Sequence, residues 1–323
     1  MSVANATVLK RAPSDFKTPT SIHLRVPAKV NLCVQVGSRR SDGYHDITTV
    51  FQAVSLYDEL TVSESQSLSM TVTGEGAADI PCDSRNLIMK AALALAKHAG
   101  IVPLAELRLV KRIPTESGLG GGSADAAATL VACNRLWDLR YTDKRLEAIG
   151  AGIGEDVPFL IRGMMAIGTG HLEPLIPLEV DSSTFNWVLG VPNVGLATAI
   201  VYSMFDQLAE PELDMQYFQK RRSHCLLVNW GTNDSSSLAP FLANDLEKAA
   251  VALLPGVKFA LEAGRSAGAI ASTMTGSGST CIFLAENSAH AESIATELGK
   301  SSVFRKVLTA IGPVPGVQET SPT

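Results

Sequence analysis

The sequence predicts an α+β fold in two domains, on three observations. The chain has 323 residues, more than one compact core usually spans. Strand patterns of period two alternate with helix patterns, without the regular rhythm of a long parallel sheet. A glycine-rich run, "SGLGGGS" over 117–123, stands between a strand pattern and a helix pattern. Glycine costs backbone entropy, so such a run implies that bare backbone is needed there.

The elements follow in order. Ile22, Leu24 and Val26 share one face of a strand. Past Pro27, Val30, Leu32, Val34 and Val36 form an apolar face. Period two then puts Lys29, Asn31, Cys33 and Gln35 together on the opposite face. "SDGYH" holds an Asp42-Gly43 turn, and "ITTVFQAV" resumes strand pattern, so a hairpin or longer turn is expected. "NLIMKAALALAKHAG" reads as a helix stopped by Gly100. "AELRLVKRI" reads as a strand leading to Pro114 and the glycine run, and Ala127, Leu130 and Val131 follow helical spacing beyond it. A further helix starts near Thr142 and ends in "GIGEDVPFLI". After about Val180 strands are expected at "FNWVLGV", "STMTG", "TCIFLA" and "VFRKVL". Helices are expected around "NDLEKAAVALL", "GVKFALEAGRSAG" and "SAHAESIATELG". "PELDMQYFQKRRSHC" reads as a polar, partly helical connection. The organisation expected is a disordered tail over 1–20, a first domain over 21–180, a second over 181–312 and a disordered tail over 313–323.

Composition narrows the function. Hydrophobic residues make up 46% and charged residues 18%, an ordinary globular balance. A net charge of -5 argues against non-specific nucleic-acid binding. The five cysteines are scattered and form no C-x-x-C pair, which fits reduced thiols in a cytoplasmic protein. The six histidines show no H-E-x-x-H spacing, against a protein-held transition metal. No apolar run is long enough to span a membrane, and the first twenty residues lack a signal-peptide core.

The glycine run is not a Walker loop, because no lysine precedes Ser123, and "GLGGGS" lacks the spacing of a Rossmann fingerprint. A different phosphate loop remains, beside the alternative of a flexible surface loop. In it a strand delivers the chain, the glycines admit close backbone approach, and Ser123 opens a helix whose free N–H groups and dipole face an anion.

"PTESGLGGGSADAA" resembles the phosphate-binding motif of the GHMP kinase superfamily, the small-molecule kinases that include galactokinase, homoserine kinase and mevalonate kinase. "VPAKVNL" and "MTGSGSTCIFL" resemble its first and third motifs, in family order. "PAKVNL", "RRSDGYHDITTVFQAVSLYDEL", "GEDVPF" and "NDLE" resemble one branch closely, the kinases acting on a cytidyl-diphosphate-linked methylerythritol. The resemblance implies a ribosomal-protein-like ATP-binding domain followed by a ferredoxin-like domain, with the site in the cleft between them. It implies ATP-dependent phosphorylation of the methylerythritol 2-hydroxyl, in non-mevalonate isoprenoid precursor synthesis. The expected partners are ATP and a small cytidyl substrate, with no nucleic acid or membrane, for a monomer or homodimer. Another GHMP kinase of homoserine or mevalonate type, or an inactive nucleotide-binding relative, is the alternative.

Residue by residue, the resemblance makes Asp156 the base and Lys29 the catalytic lysine, with Asn31 a substrate contact. On local sequence alone, Asp156 reads first as a turn residue before Pro158, and the resemblance reverses that order. The triphosphate is expected on Pro114, Gly118, Leu119, Gly120, Gly121, Gly122, Ser123 and Ala124, and adenine on Asn86, Leu87 and Lys111. The imidazole of His45 is expected to read the cytosine edge, with Tyr44 and Tyr202 stacking on it and Gly276 and Gly278 near the substrate phosphates. ATP normally carries Mg²⁺, which prefers phosphate and water oxygens, so Ser123 is the side chain nearest to it by expectation. Glu116 departs from the family's small residue, and it is expected to face solvent, because a carboxylate facing inward would repel ATP.

Overall fold

The computed structural model describes residues 21–169, 175–179, 184–208 and 235–321. The expected N-terminal tail over 1–20 and the polar connection "PELDMQYFQKRRSHC" lie outside the described residues. Two sheets organise the rest. The larger is built on a long hairpin, β1 (Ser21–Arg39) and β2 (His45–Ser63). The Asp42-Gly43 turn joins them: Gly43 has φ +89°, and the Asp42 side chain accepts the Tyr44 N–H at 3.0 Å. Pro27 does not interrupt β1; it sits at a register shift between Pro27 and Ala28. Beyond β2 lie β4 (Glu106–Lys111) and β3 (Ser69–Gly74), the last two parallel. Further along β2 pair β5 (Met165–Thr169) and, on it, β6 (Ile176–Pro177), which the sequence reading did not find.

Four helices belong to this part: α1 (Leu87–Ala99), α2 (Gly121–Leu136), α3 (Asp143–Ala151) and α4 (Val157–Arg162). Helix α1 starts on Asn86, whose side chain accepts the Ile88 N–H, and stops at Gly100 in the left-handed conformation. Helix α2 is buried almost all round, from Ala124 to Leu136, because it runs through the middle of the core. This explains its run of alanines: small side chains let β1, β2, α1 and α4 approach it closely.

The second sheet has the order β11 (Phe304–Gly312), β7 (Phe185–Pro192), β10 (Cys281–Ala285), β9 (Ala271–Met274), all neighbours antiparallel. Among the described residues it is accompanied by α5 (Thr198–Leu208), α6 (Ser235–Leu238), α7 (Glu247–Leu253), α8 (Gly256–Ser266) and α9 (Ser288–Leu298). Its core includes Val188, Leu246, Leu261, Phe283 and Ile294. Two short strands cross back to the first sheet. β8 (Ala243–Asn244) pairs parallel with β1 at Cys33 and Val34, and β12 (Gln318–Glu319) pairs with β1 at Leu24 and Arg25.

The last of these corrects the expectation of a disordered tail over 313–323. Through Ser321 the chain is described and packed on the first domain. Val314 is buried, its N–H donates to Ala53 O at 3.1 Å, and Thr320 N–H donates to His23 O at 2.9 Å. Pro, Gly, Ser and Thr predict coil from composition, but the free edge of β1 offers backbone partners that composition does not register. The thiols need a correction too. Cys33 is disulfide-bonded, Cys82, Cys133 and Cys281 are free, and Cys225 lies outside the described residues.

Candidate active site

The glycine run leads into the first turn of α2. Helix α2 begins at Gly121, two residues before the expected Ser123, and is preceded by Gly120 in the left-handed conformation at φ +73°. The first intrahelical bond there is Ala124 N–H to Gly120 O, at 2.8 Å. The N–H groups of Gly121, Gly122 and Ser123 precede that ladder and have no carbonyl within the helix. The positive pole of a 16-residue helix lies behind them. Pro114 and Leu119 are buried beneath the loop, and Ala124 is buried in α2. Gly118 has φ +74°, and a Cβ there would stand 3.0 Å from the Thr275 carbonyl. The loop thus packs against the turn after β9, where Gly276 and Gly278 have φ +60° and +96°. The side chain of Asn244 holds that turn by donating to Met274 O and Gly276 O, both at 2.8 Å.

Lys29 enters the same place from β1. Its N–H donates to Leu119 O at 3.0 Å, tying the strand to the phosphate loop. Its ammonium donates to Asn31 Oδ1 at 2.8 Å and lies 3.4 Å from Asp156 Oδ2. Asp156 stands at the N-terminus of α4, yet its side chain makes no capping hydrogen bond. The turn-stabilising alternative is therefore not what the carboxylate does; it faces Lys29. Asn31 lines the cleft; its Oδ1 accepts from Lys29, and its Nδ2 donates one of its two hydrogens to Thr49 Oγ1 at 2.8 Å. The Phe51 ring, centred 5.8 Å from Lys29 Nζ, gives the ammonium a π face.

These groups open on a cleft of about 880 Å³ lined by Lys29, Asn31, Gly118, Gly120, Asp156, Tyr202 and Gly276 among others. At one part of it, His45 and Tyr202 meet with ring centroids 5.4 Å apart and planes tilted by 33°, and Phe205 meets His45 edge-on at 5.8 Å. The Tyr202 phenol is held above its ordinary pKa by burial, reinforced by Glu155 and Asp156, so the ring is neutral. Tyr44 is exposed in the hairpin turn.

The structure corrects the expectation for the His45 imidazole. Nδ1 is 2.8 Å from Gly37 O, and Nε2 is 3.1 Å from Asp206 Oδ1. Both ring nitrogens are thus engaged within the chain and not left open toward a base edge. Adenine-side residues are corrected likewise. Asn86 spends its side chain on the α1 cap and on Pro81 O, at 2.9 Å each. Lys111 is buried, donating to Asp58 and, at 2.9 Å, to Asp125 Oδ2. Its ammonium is therefore engaged within the chain. Leu87 does border the phosphate loop, 3.4 Å from where a Gly122 Cβ would be.

Glu116 is exposed, as expected, in a separate depression of about 400 Å³ with Glu75, Asp79 and Arg305. Its φ of +52° explains why a small residue suits this position. Among the described residues no group of three or more His, Cys, Asp or Glu side chains could hold a metal ion. The Ser123 hydroxyl lies beside Gly154, 3.3 Å from where a Cβ there would be. No helix among the described residues is long and apolar enough to cross a membrane.

Thr49, Thr275, Asp206 and Asn244 were not singled out from the sequence. Asn244, Thr275 and Thr49 lie in the quoted "NDLE", "MTGSGSTCIFL" and "RRSDGYHDITTVFQAVSLYDEL"; Asp206 lies in none of them, and its partner His45 is far along the chain.

The comparisons agree with this geometry. Residues 86–164 match the GHMP kinases N terminal domain, and residues 227–303 match the GHMP kinases C terminal domain. The 4-diphosphocytidyl-2-C-methyl-D-erythritol kinase of Nocardia farcinica is 45% identical over 309 residues, covering 94% of this chain and 98% of the relative. The enzyme of that name from Mycobacterium tuberculosis is 43% identical over 313 residues, covering 95% and 96%. A crystal structure of 4-(cytidine 5'-diphospho)-2C-methyl-D-erythritol kinase superposes with a TM-score of 0.70 at 31% identity, covering 90% of this chain and 98% of that one. A homoserine kinase from Cytophaga hutchinsonii, at 19% identity and a TM-score of 0.73, shares the fold. With the glycine loop, the strand-borne lysine and the carboxylate of α4 in one cleft, this chain belongs to the GHMP kinases, in the 4-diphosphocytidyl-2-C-methyl-D-erythritol kinase family.

Proposed function

We propose that this protein transfers the γ-phosphoryl group of ATP to the 2-hydroxyl of 4-diphosphocytidyl-2-C-methyl-D-erythritol. The observation that carries the reading is the Lys29–Asp156 pair, 3.4 Å apart, in the cleft beside the glycine loop. Phosphoryl transfer asks chiefly for positioning and electrostatic stabilisation. The free N–H groups of Gly121, Gly122 and Ser123 and the α2 dipole hold the triphosphate. The acceptor oxygen attacks the γ-phosphorus, the bond to the β–γ bridging oxygen breaks, and ADP leaves. The hydroxyl proton goes to Asp156, which has no cap bond to compete for it. Lys29 faces the Asp156 carboxylate and offsets negative charge on the acceptor oxygen as it develops. Mg²⁺ bound with ATP would neutralise phosphate charge, with Ser123 beside it.

The His45–Tyr202–Phe205 cluster supports an acceptor that bears a flat base. Homoserine and mevalonate offer nothing to stack there. Tyr44, exposed at the same turn, supplies the second face when the base is bound. The test is ADP release with a panel of acceptor alcohols. The cytidyl substrate is expected to be turned over with a kcat/KM far above homoserine and mevalonate. Equal or faster turnover of either overturns the reading, and ATP binding without transfer to any alcohol would favour an inactive relative.

A further inference from the structure

Beneath the phosphate loop, outside the cleft, lies a buried charged triad. Lys111 at the end of β4 donates to Asp58 Oδ2 of β2 and, at 2.9 Å, to Asp125 Oδ2 of α2. The three residues are at most 5% exposed. Asp58 is saturated, because its other oxygen accepts the N–H groups of Arg112 at 2.6 Å and Ile113 at 2.9 Å. Those two residues run directly into Pro114 and the loop. Lys111 Nζ stands 3.0 Å from where a Gly121 Cβ would be, under the first residue of α2. Asp125 Oδ1 is buried and has no hydrogen-bond partner.

Charge buried this deeply is poor value for stability alone; apolar side chains of like volume usually serve as well or better. The placement also runs against the helix. An ammonium at the N-terminal end opposes the α2 dipole, so its place there asks for a reason other than helix stability. Two carboxylates around one lysine explain how the ammonium is tolerated there. Burial works against its charge, yet Asp125 and Asp58 hold Lys111 above the ordinary lysine value.

We propose that Lys111 is a positioning residue for the nucleotide: anchored by Asp58 and Asp125, it fixes the loop entry and the first turn of α2 so that their N–H groups meet the triphosphate. This rests on the phosphoryl-transfer reading above but not on the identity of the acceptor.

The experiment is a calorimetric titration with an ATP analogue whose β–γ bridge cannot be cleaved, beside steady-state kinetics at saturating ATP. Lys111→Met is expected to weaken analogue binding by roughly tenfold or more. The acceptor KM is expected to stay within about twofold of the parent's. If Lys111→Met does not fold, Asp125→Ala and Asp125→Asn carry the test, since both keep the Lys111–Asp58 pair. Alanine is expected to weaken analogue binding, and asparagine, which keeps an acceptor for Lys111, to restore most of it. Unchanged analogue binding, or parallel loss for nucleotide and acceptor, overturns the proposal. Because the titration needs no acceptor, a protein that phosphorylates some other alcohol leaves the inference standing. A parent protein that binds no analogue overturns both readings.

Discussion

The Lys29 ammonium stands 3.4 Å from the Asp156 carboxylate, and its backbone N–H is bonded to Leu119 of the phosphate loop. One residue therefore links the strand, the first turn of α2 and the carboxylate proposed as the base. Asp156→Asn keeps the shape and removes the proton acceptor. It is expected to lower kcat by about 10²–10⁴-fold with ATP-analogue affinity retained by calorimetry. Near-parental turnover would dismiss Asp156 as the base.

Gly120 is the tightest point of the loop. It has φ +73°, and a Cβ there would stand 2.8 Å from Lys29 Cγ. Gly120→Ala strains the backbone by about 1–2 kcal/mol and pushes Lys29 from its place. Kinetics should show lower kcat, together with a lower thermal midpoint. A variant with parental values for both would show that the loop yields freely.

His45 is held by Gly37 O and by Asp206 of α5, which joins the hairpin turn to the second domain. His45→Ala and Asp206→Ala are each expected to raise the KM for the cytidyl substrate while leaving the KM for ATP unchanged. Because Asp206 acts through His45, the double variant should cost little more than His45→Ala alone. Fully additive losses would separate the two residues.

Asp125 makes stability depend on pH. Burial and the nearby Asp58 carboxylate push its carboxyl well above the ordinary range, against the pull of Lys111. Above the unfolded value of about 3.9 the folded state then holds more protons than the unfolded one. Stability from this group is full below that pH and is lost as pH rises through the folded pKa. Asp125→Asn should flatten this slope, read as urea midpoints from pH 4 upward. Asp58 and Lys111 are the charged groups in contact and remain in the variant. An unchanged slope would assign it elsewhere.

The C-terminal segment predicts a truncation phenotype. Ending the chain at Gly312 removes the buried Val314, the β12 pairing with β1 and the Arg135–Glu319 contact at 2.7 Å. Burial of one valine alone is worth about 1.5–3 kcal/mol, so the thermal midpoint should fall. A full-length midpoint in the truncated chain would return the segment to the status of a tail.

Much of this protein is decided locally. Alternation along β1 puts Lys29 and Asn31 on one face, Asn86 and Gly100 bound α1, and the glycines over 118–122 sit where positive φ and close backbone approach demand them. Such features depend on φ/ψ preference and side-chain period, which neighbouring residues carry. What Lys111, His45 and residues 313–321 do was not legible in the same way. A lysine beside a phosphate loop reads as a ligand contact until Asp58 and Asp125 close around it, and an imidazole reads as a base reader until Gly37 and Asp206 take both nitrogens. A free strand edge recruits a segment that composition assigns to solvent. In each case the partner comes from another element of the fold, and a polar group's role is set by whichever partner satisfies it, which only the tertiary structure supplies.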